Sequence, residues 1–325
     1  MGIKYLNNYL RTNCSKEAIK CISLTELSGK KIAIDVSIYM YKYLSDDSLL
    51  ENMYLLMSVL KHHNIIPIFV FDGKCRTEKK ELLIKRKNDK KYAENEYNFL
   101  KEKLECNQDM DETEKLEISA AMDLLKKQFV YILREQINMV KDLISSYGMT
   151  YYEAEGEADE LCALLVLKKK AWACLSEDMD MFVYGCTRVI RYFSLMNHTC
   201  VLYDTRKILD ELGMSQTDFR EICVLSGTDY NLQTDENEND FYQIIKLYNK
   251  YVKTKNNIGF YKWIEQNDVL VHDIKLLESV YNMFDLSTKA NDSDINIEKI
   301  KIINGRTDRD KMNNILKSEG FIFAN

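Results

Sequence analysis

Six short apolar runs rich in β-branched and aromatic residues recur along the chain: Lys31–Val36, Ile65–Phe71, Met149–Glu153, Trp172–Leu175, Val189–Phe193 and Cys200–Tyr203. Several are near-continuous instead of alternating, as strands covered on both faces must be. Helical patterns stand between them, at Leu49–His62, Glu157–Lys169 and Ser215–Leu225. This alternation predicts an α/β fold with a central, mostly parallel sheet flanked by helices. The lone Pro67 falls at a strand entrance, where a missing amide donor is tolerated.

From about Lys74 to Tyr147 the strand signal disappears into a Gly-free, Lys/Glu-rich stretch, which predicts two or more long helices inserted between consecutive strands. Its charge is divided. Lys74–Lys91 holds nine Lys/Arg against three acids, whereas Leu104–Leu124 holds seven acids against Lys115. Such blocks are expected to form solvated helix faces that pair with each other. Beyond Tyr230 comes a polar loop, Asn231–Asp240, and then a helical remainder. The expected organisation is a core over residues 1–230, carrying the insertion at about 74–147, and a helical region over 231–325.

Several classes are excluded by composition. No stretch approaches the roughly 18 apolar residues of a membrane span. The N-terminus lacks the apolar run of a signal peptide, and Leu6 stands where myristoylation requires Ser or Thr. The nine Cys include no Cys-x-x-Cys, and the adjacent His62 and His63 offer no zinc spacing. A soluble intracellular protein, nuclear or cytoplasmic and monomeric, is expected. The net charge of −6 argues against a simple DNA-coating protein.

Carboxylates concentrate where chain geometry would bring them together. Asp35 ends one apolar strand and Asp72 another, and Asp178 and Asp180 follow a third. In open α/β sheets, sites collect outside the carboxyl ends of strands, so these four are expected to share one crevice. Glu157 and Asp159 open the helix after the Met149–Glu153 strand, where first-turn acids also suit the helix dipole. Asp229 follows a helix at a glycine turn, a common place for aspartate. Each acid has an ordinary local explanation, yet a cluster of them at one sheet edge would repel itself without cations. Oxygen ligands alone point to Mg²⁺ or Mn²⁺. Two such ions about 4 Å apart activate water and stabilise the leaving oxygen of an in-line phosphoryl displacement.

Seven segments in order resemble the flap endonuclease, or structure-specific 5′-nuclease, family. They are Met1-Gly2-Ile3, Lys31-Ile32-Ala33-Ile34-Asp35-Val36-Ser37, Val70-Phe71-Asp72-Gly73-Lys74, Tyr152–Asp159, Leu175-Ser176-Glu177-Asp178-Met179-Asp180, Arg206–Gly213 and Leu225-Ser226-Gly227-Thr228-Asp229-Tyr230. The resemblance implies a PIN-like nuclease fold with a helical arch at the insertion. It implies that Asp35, Asp72, Glu157, Asp159, Asp178, Asp180 and Asp229 hold two Mg²⁺, for which Mn²⁺ substitutes. Asp159 stands where the family more often has Glu. The resemblance further assigns Lys79 and Arg86, seven apart on one helix face, to the scissile phosphate, and Gly2 and Tyr41 to substrate contact. The substrate it implies is DNA with a 5′ flap, nick or free 5′ end.

The resemblance thins in three places. The second part of the insertion is acidic, which opposes threading of a single strand and favours pairing with the basic helix. After Asp229 the family continues into a glycine-rich hairpin that grips duplex, whereas Asn231–Asp240 has no glycine and four acids. The tail Gly320–Asn325 lacks a sliding-clamp peptide. Two other readings compete with a DNA nuclease: a non-catalytic DNA-binding scaffold that kept the fold, and a small-molecule phosphatase using Asp178 and Asp180. The phosphatase motif normally begins its fold and continues with Thr or Val, and neither holds here.

Overall fold

The computed structural model describes residues 2–106, 111–231, 241–254, 258–267, 273–289, 297 and 300–321. Two compact units divide the chain. The first comprises Met1–Asp35, Val59–Cys75 and Met149–Asn304, and the second Val36–Ser58, Arg76–Gly148 and Gly305–Asn325.

The first unit is built on seven strands: β1 (Ile19–Ser23), β2 (Lys31–Asp35), β3 (Ile66–Phe71), β4 (Thr150–Glu153), β5 (Ala173–Leu175), β6 (Arg188–Ser194) and β7 (Thr199–Asp204). Their order across the sheet is β1-β7-β6-β5-β2-β3-β4. Pairs β5–β6, β2–β5, β2–β3 and β3–β4 are parallel, while β7 runs antiparallel to β6 and β1. The six expected strands all form, within one or two residues of their expected ends. The seventh, β1, is the addition. Its sequence, Ile19-Lys20-Cys21-Ile22-Ser23, buries only Ile22 and lies at the sheet edge, so it never presents the apolar run of a central strand.

Both faces of the parallel part are covered. Ile32, Ala33, Ile34, Ile68, Phe69 and Val70 are all within 1% of complete burial. Ala33, Ile68 and Val70 join one continuous core with the helix Ala158–Leu167, whose residues from Ala158 to Val166 are buried on every side. That burial explains why this helix reads as an apolar run with little amphipathic contrast.

Backbone turns fix the carboxyl edge of the sheet. After β3 the Asp72-Gly73 turn docks on the loop after β4: Gly73 N–H donates to the Gly156 carbonyl (2.7 Å) and Lys74 N–H to that of Glu155 (3.1 Å). A Cβ at Gly73 would overlap the Ala154 carbonyl oxygen, so only glycine lets the two loops approach this closely.

Farther from the sheet, the helix Gln216–Leu225 meets helices Phe241–Lys253, Phe260–Gln266 and Ile274–Phe284. Arg220 ties this group together from a buried position. Its Nε donates to the Val183 carbonyl (3.0 Å), while Nη1 bonds the Tyr281 hydroxyl (3.2 Å) and lies 3.5 Å from Asp285. At the next position, burial pushes the Glu221 carboxyl up to about 7, with nearby Asp218 adding to it against a lowering bond from the Phe260 amide.

The second unit is helical where described. The insertion forms three helices, Lys80–Cys106, Glu112–Lys126 and Arg134–Ser146. Lys103 pairs with Glu114 at 3.0 Å across the first two, so the acidic half does reach a cation of its neighbour, although one beyond the basic block. Lys127 at the end of the acidic helix pairs with Asp46 at 3.5 Å. The C-terminal helix Arg309–Ser318 packs on Arg134–Ser146, with Lys311 and Asp142 3.2 Å apart. No helix among the described residues is long and apolar enough to cross a membrane.

Two outcomes are expected. Gly73→Ala forces two loop backbones apart and should lower stability by about 1–3 kcal/mol, read as a fall of several degrees in melting temperature. Glu221 has a folded-state value above its unfolded one, so its contribution is complete below about pH 4.5 and is lost as pH rises through about 7. Glu221→Gln should therefore melt a few degrees above the parent at pH 8, with the difference shrinking toward pH 5. A constant offset across that range would contradict the assignment.

Candidate active site

Strand register determines where the acids stand. Ile34 of β2 faces Leu175 of β5, Asp35 faces Val70 of β3, and Phe71 faces Glu153 of β4. The four parallel strands therefore end together, and each is followed within a few residues by one or two carboxylates. Asp35 terminates β2 itself and is 6% exposed. Asp72 follows β3, Glu157 and Asp159 follow β4, and Asp178 and Asp180 follow β5.

Hydrogen bonds link these acids into two chains. In the first, Ser176 Oγ donates to Asp35 Oδ2 (3.4 Å) and accepts from the Asp178 amide (3.2 Å), while the Asp180 amide donates to Asp178 Oδ1 (3.0 Å). In the second, the Ala158 amide donates to Asp72 Oδ1 (2.9 Å) and the Tyr230 hydroxyl to Glu157 Oε2 (2.5 Å). Asp159 accepts from the Glu160 amide at 2.6 Å.

Buried groups nearby register the combined field. Burial raises the Tyr184 hydroxyl well above its ordinary value, and Asp159 and Asp180 raise it further. The Tyr230 hydroxyl is raised by burial and then by Asp159 and Glu157. Burial pushes the Cys162 thiol up to about 11, with Asp35 and Asp159 both contributing. Asp35, Glu157, Asp159 and Asp180 thus act on one shared region. Asp229 immediately precedes Tyr230, in a turn where Thr228 Oγ1 donates to Asn231 Oδ1 (2.5 Å) and the Tyr230 amide donates to Thr228 Oγ1 (3.2 Å).

Gly2 lies against the same edge. Its φ is +71°, and a Cβ there would overlap Asp178 Oδ1 and stand 2.7 Å from Asp180 Oδ1. Glycine therefore serves two needs, a left-handed backbone and an approach that no side chain permits.

The loop carrying Asp178 and Asp180 is braced by a residue that sequence reading missed. Arg191 of β6 is buried; its Nη2 donates to the Glu177 carbonyl (2.9 Å), Nη1 to Asn7 Oδ1 (2.8 Å), and its Nε lies 3.5 Å from the Glu177 carboxylate. A register shift in β6 between Arg191 and Ser194 frees the Tyr192 amide to donate to Glu177 Oε1 at 2.6 Å. Tyr230 and Ser176 were legible only as motif members, and Arg191 carries no local signal at all.

As placed, no group of three or more His, Cys, Asp or Glu among the described residues is arranged to hold a metal ion. The bonds above show where several of the carboxylates point instead: each turns to a nearby amide or hydroxyl, which lowers the repulsion among like charges. The donor chemistry, carboxylates borne at or just after four strand ends, is of the kind a hard divalent cation takes.

The remaining expected residues belong to the second unit. Lys79 ends a short 3-10 turn, Thr77–Lys79, and Arg86 lies exposed on the helix Lys80–Cys106, so the two do not share a single regular helix. Tyr41 is 44% exposed, and the Lys90 ammonium sits 4.8 Å from its ring centre. Residues 232–240, which hold most of the glycine-free stretch after Asp229, and the tail residues 322–325 lie outside the described residues.

Comparison with known proteins agrees with this arrangement. Residues 1–93 match the XPG N-terminal domain and residues 148–229 the XPG I-region. The chain is 32% identical over 249 residues to flap endonuclease 1-A of Sorghum bicolor, covering 71% of this chain and 62% of that one. It is 30% identical over 286 residues to flap endonuclease 1 of Meyerozyma guilliermondii, covering 82% and 71%. The first of these relatives is thus matched over less than two thirds of its length. Among solved structures, the catalytic core of Rad2 in complex with DNA substrate superposes with a TM-score of 0.67 at 20% identity, over 98% of this chain and 95% of that one. At that identity the likeness bears on the fold alone. With both halves of the domain matched and the carboxylates at one sheet edge, the chain belongs to the XPG/flap endonuclease family of structure-specific 5′-nucleases.

Proposed function

We propose that this chain is a divalent-metal-dependent nuclease that hydrolyses phosphodiester bonds of DNA near 5′ ends, at flaps, nicks or free ends. The observation that carries the reading is the shared carboxyl edge of β2, β3, β4 and β5, where Asp35, Asp72, Glu157, Asp159, Asp178 and Asp180 collect beside the turn bearing Asp229. These seven residues would hold two Mg²⁺, with Mn²⁺ as a substitute. Bound there, the ions would lower the pKa of water and stabilise the leaving oxygen.

The protein's own groups supply the rest. Ser176 orients Asp35, and the Tyr230 hydroxyl restricts Glu157 to one rotamer while bonding one of its oxygens. Arg191 holds the backbone of Glu177, and so the position of Asp178, from behind. Gly2 lets the N-terminal backbone lie on Asp178 and Asp180 without a side chain filling the crevice. Lys79 and Arg86 would neutralise charge on the phosphate, as cationic clamps do in phosphoryl transfer. Tyr41 would stack on a base beside the cut, which requires Lys90 to swing off its ring.

The test is cleavage of 5′-labelled flap, nicked and single-stranded DNA by the purified chain with Mg²⁺. Asp178→Ala and Asp180→Asn should each reduce cleavage by at least about 100-fold while the melting temperature without metal stays the same or rises, because a like charge is removed. Tyr230→Phe deletes only the donor to Glu157 and should weaken apparent Mn²⁺ affinity or activity by about 10–100-fold. Calorimetry should show stoichiometric Mn²⁺ uptake. A chain that takes up no Mn²⁺ and cleaves none of the three substrates is a scaffold, and the proposal fails.

A further inference from the structure

The amino ends of the same parallel strands carry the opposite charge. Lys31 opens β2, Arg188 opens β6, and Trp172 immediately precedes β5. Around them lies a cavity of about 900 Å³, wholly within the sheet unit, lined by seven Lys and Arg against only Asp204 and Asp210. Because β2 runs from Lys31 to Asp35, the cavity and the acids stand at opposite ends of one short strand, roughly 13 Å apart along it.

Helix electrostatics account for part of this basic lining. Lys169 and Lys170 follow the C-terminus of the helix Ala158–Leu167, where the dipole favours cations. Arg206 and Lys207 are different. They occupy the first turn of the helix Thr205–Leu212, where the dipole opposes positive charge. Trp172 is flanked by two more cations, the Arg188 guanidinium at 4.9 Å and the Lys30 ammonium at 5.4 Å from its ring centre. Acids offer little compensation. Lys207 reaches Glu17 at 3.8 Å in an exposed pair, and Asp204 is engaged in capping the Lys207 amide. Among the described residues, no carboxylate forms an ion pair with Lys30, Lys170, Arg188 or Arg206.

Seven cations around one cavity, two of them set against a helix dipole, form a surface that an anion of several charges would neutralise. We propose that this cavity is a second phosphate-binding site, which holds the backbone of the DNA substrate away from the bond that is cut. The identity of the anion rests on the nuclease reading above; the existence of a polyanion site does not. Duplex DNA carries a charge about every 1.7 Å of its length, so a substrate arm that passes around the sheet from the acidic edge would bring several phosphates to a cavity of this size. The Trp172 ring, half-buried among the cations, offers an adjacent apolar surface for a sugar or base.

The chain has two tryptophans, and Trp263 is buried, so Trp263→Phe leaves Trp172 as the only indole reporter. The full chain carrying this change, in EDTA to prevent cleavage, is titrated with a 5′-flap duplex and separately with tripolyphosphate. The flap duplex should change Trp172 emission saturably. Lys170→Glu with Arg206→Glu should weaken duplex binding at least tenfold at about 100 mM salt and flatten the salt dependence by about one unit per lost phosphate contact. Lys170→Gln with Arg206→Gln should give the same changes at smaller amplitude, and cleavage at saturating DNA with Mg²⁺ should stay within twofold. Unchanged emission, affinity and salt slope would overturn the site. Saturation by tripolyphosphate with no response to DNA would overturn the assignment to DNA. A chain that answers through Trp172 but never cleaves would refute the nuclease reading and leave a polyanion site standing.

Discussion

Electrostatic repulsion among carboxylates gathered at one sheet edge is the constraint around which this structure is organised. Parallel pairing aligns the ends of β2, β3, β4 and β5, and the covered faces of those strands leave their ends as the place where charge meets solvent. Four of the acids there, Asp35, Glu157, Asp159 and Asp180, are at most 9% exposed. Burying several negative charges together is costly, and the neighbouring Tyr184, Tyr230 and Cys162, raised first by their own burial, are raised further by these acids. A hard divalent cation bound there would relieve the conflict.

Part of the support for the acids comes from non-acidic groups on other elements of the fold. Arg191 reaches from β6 to hold Glu177, Asn7 anchors Arg191 from the N-terminal helix, and Tyr230 reaches Glu157 from beyond the helix Gln216–Leu225. Three separate parts of the chain therefore brace the loops on which the carboxylates stand. Gly2 and Gly73 contribute by having no side chain, since each stands where a Cβ would collide with the site or with its supporting loop.

Charge is also separated along the strands, acids at their carboxyl ends and bases at their amino ends. Arg206 and Lys207 stand in the first turn of the helix Thr205–Leu212, where the dipole does not favour them.

The apolar runs marked the strands by their short length and their β-branched and aromatic content, in which a buried helix such as Ala158–Leu167 is poor; β1 escaped since an edge strand burying one residue leaves no such run. Helix Leu49–His62 was legible to the residue, and the acids after each strand were legible as candidates because their positions follow from chain order. Tertiary structure alone decided the order β1-β7-β6-β5-β2-β3-β4, the placing of Lys79 in a turn before its helix, and the bracing by Arg191 and Tyr230. It alone decided the basic cavity, whose lining is drawn from four separate segments. Local sequence encodes burial and turn chemistry over a few residues, whereas bonds such as Tyr230–Glu157 and Arg191–Asn7 join side chains more than 70 positions apart.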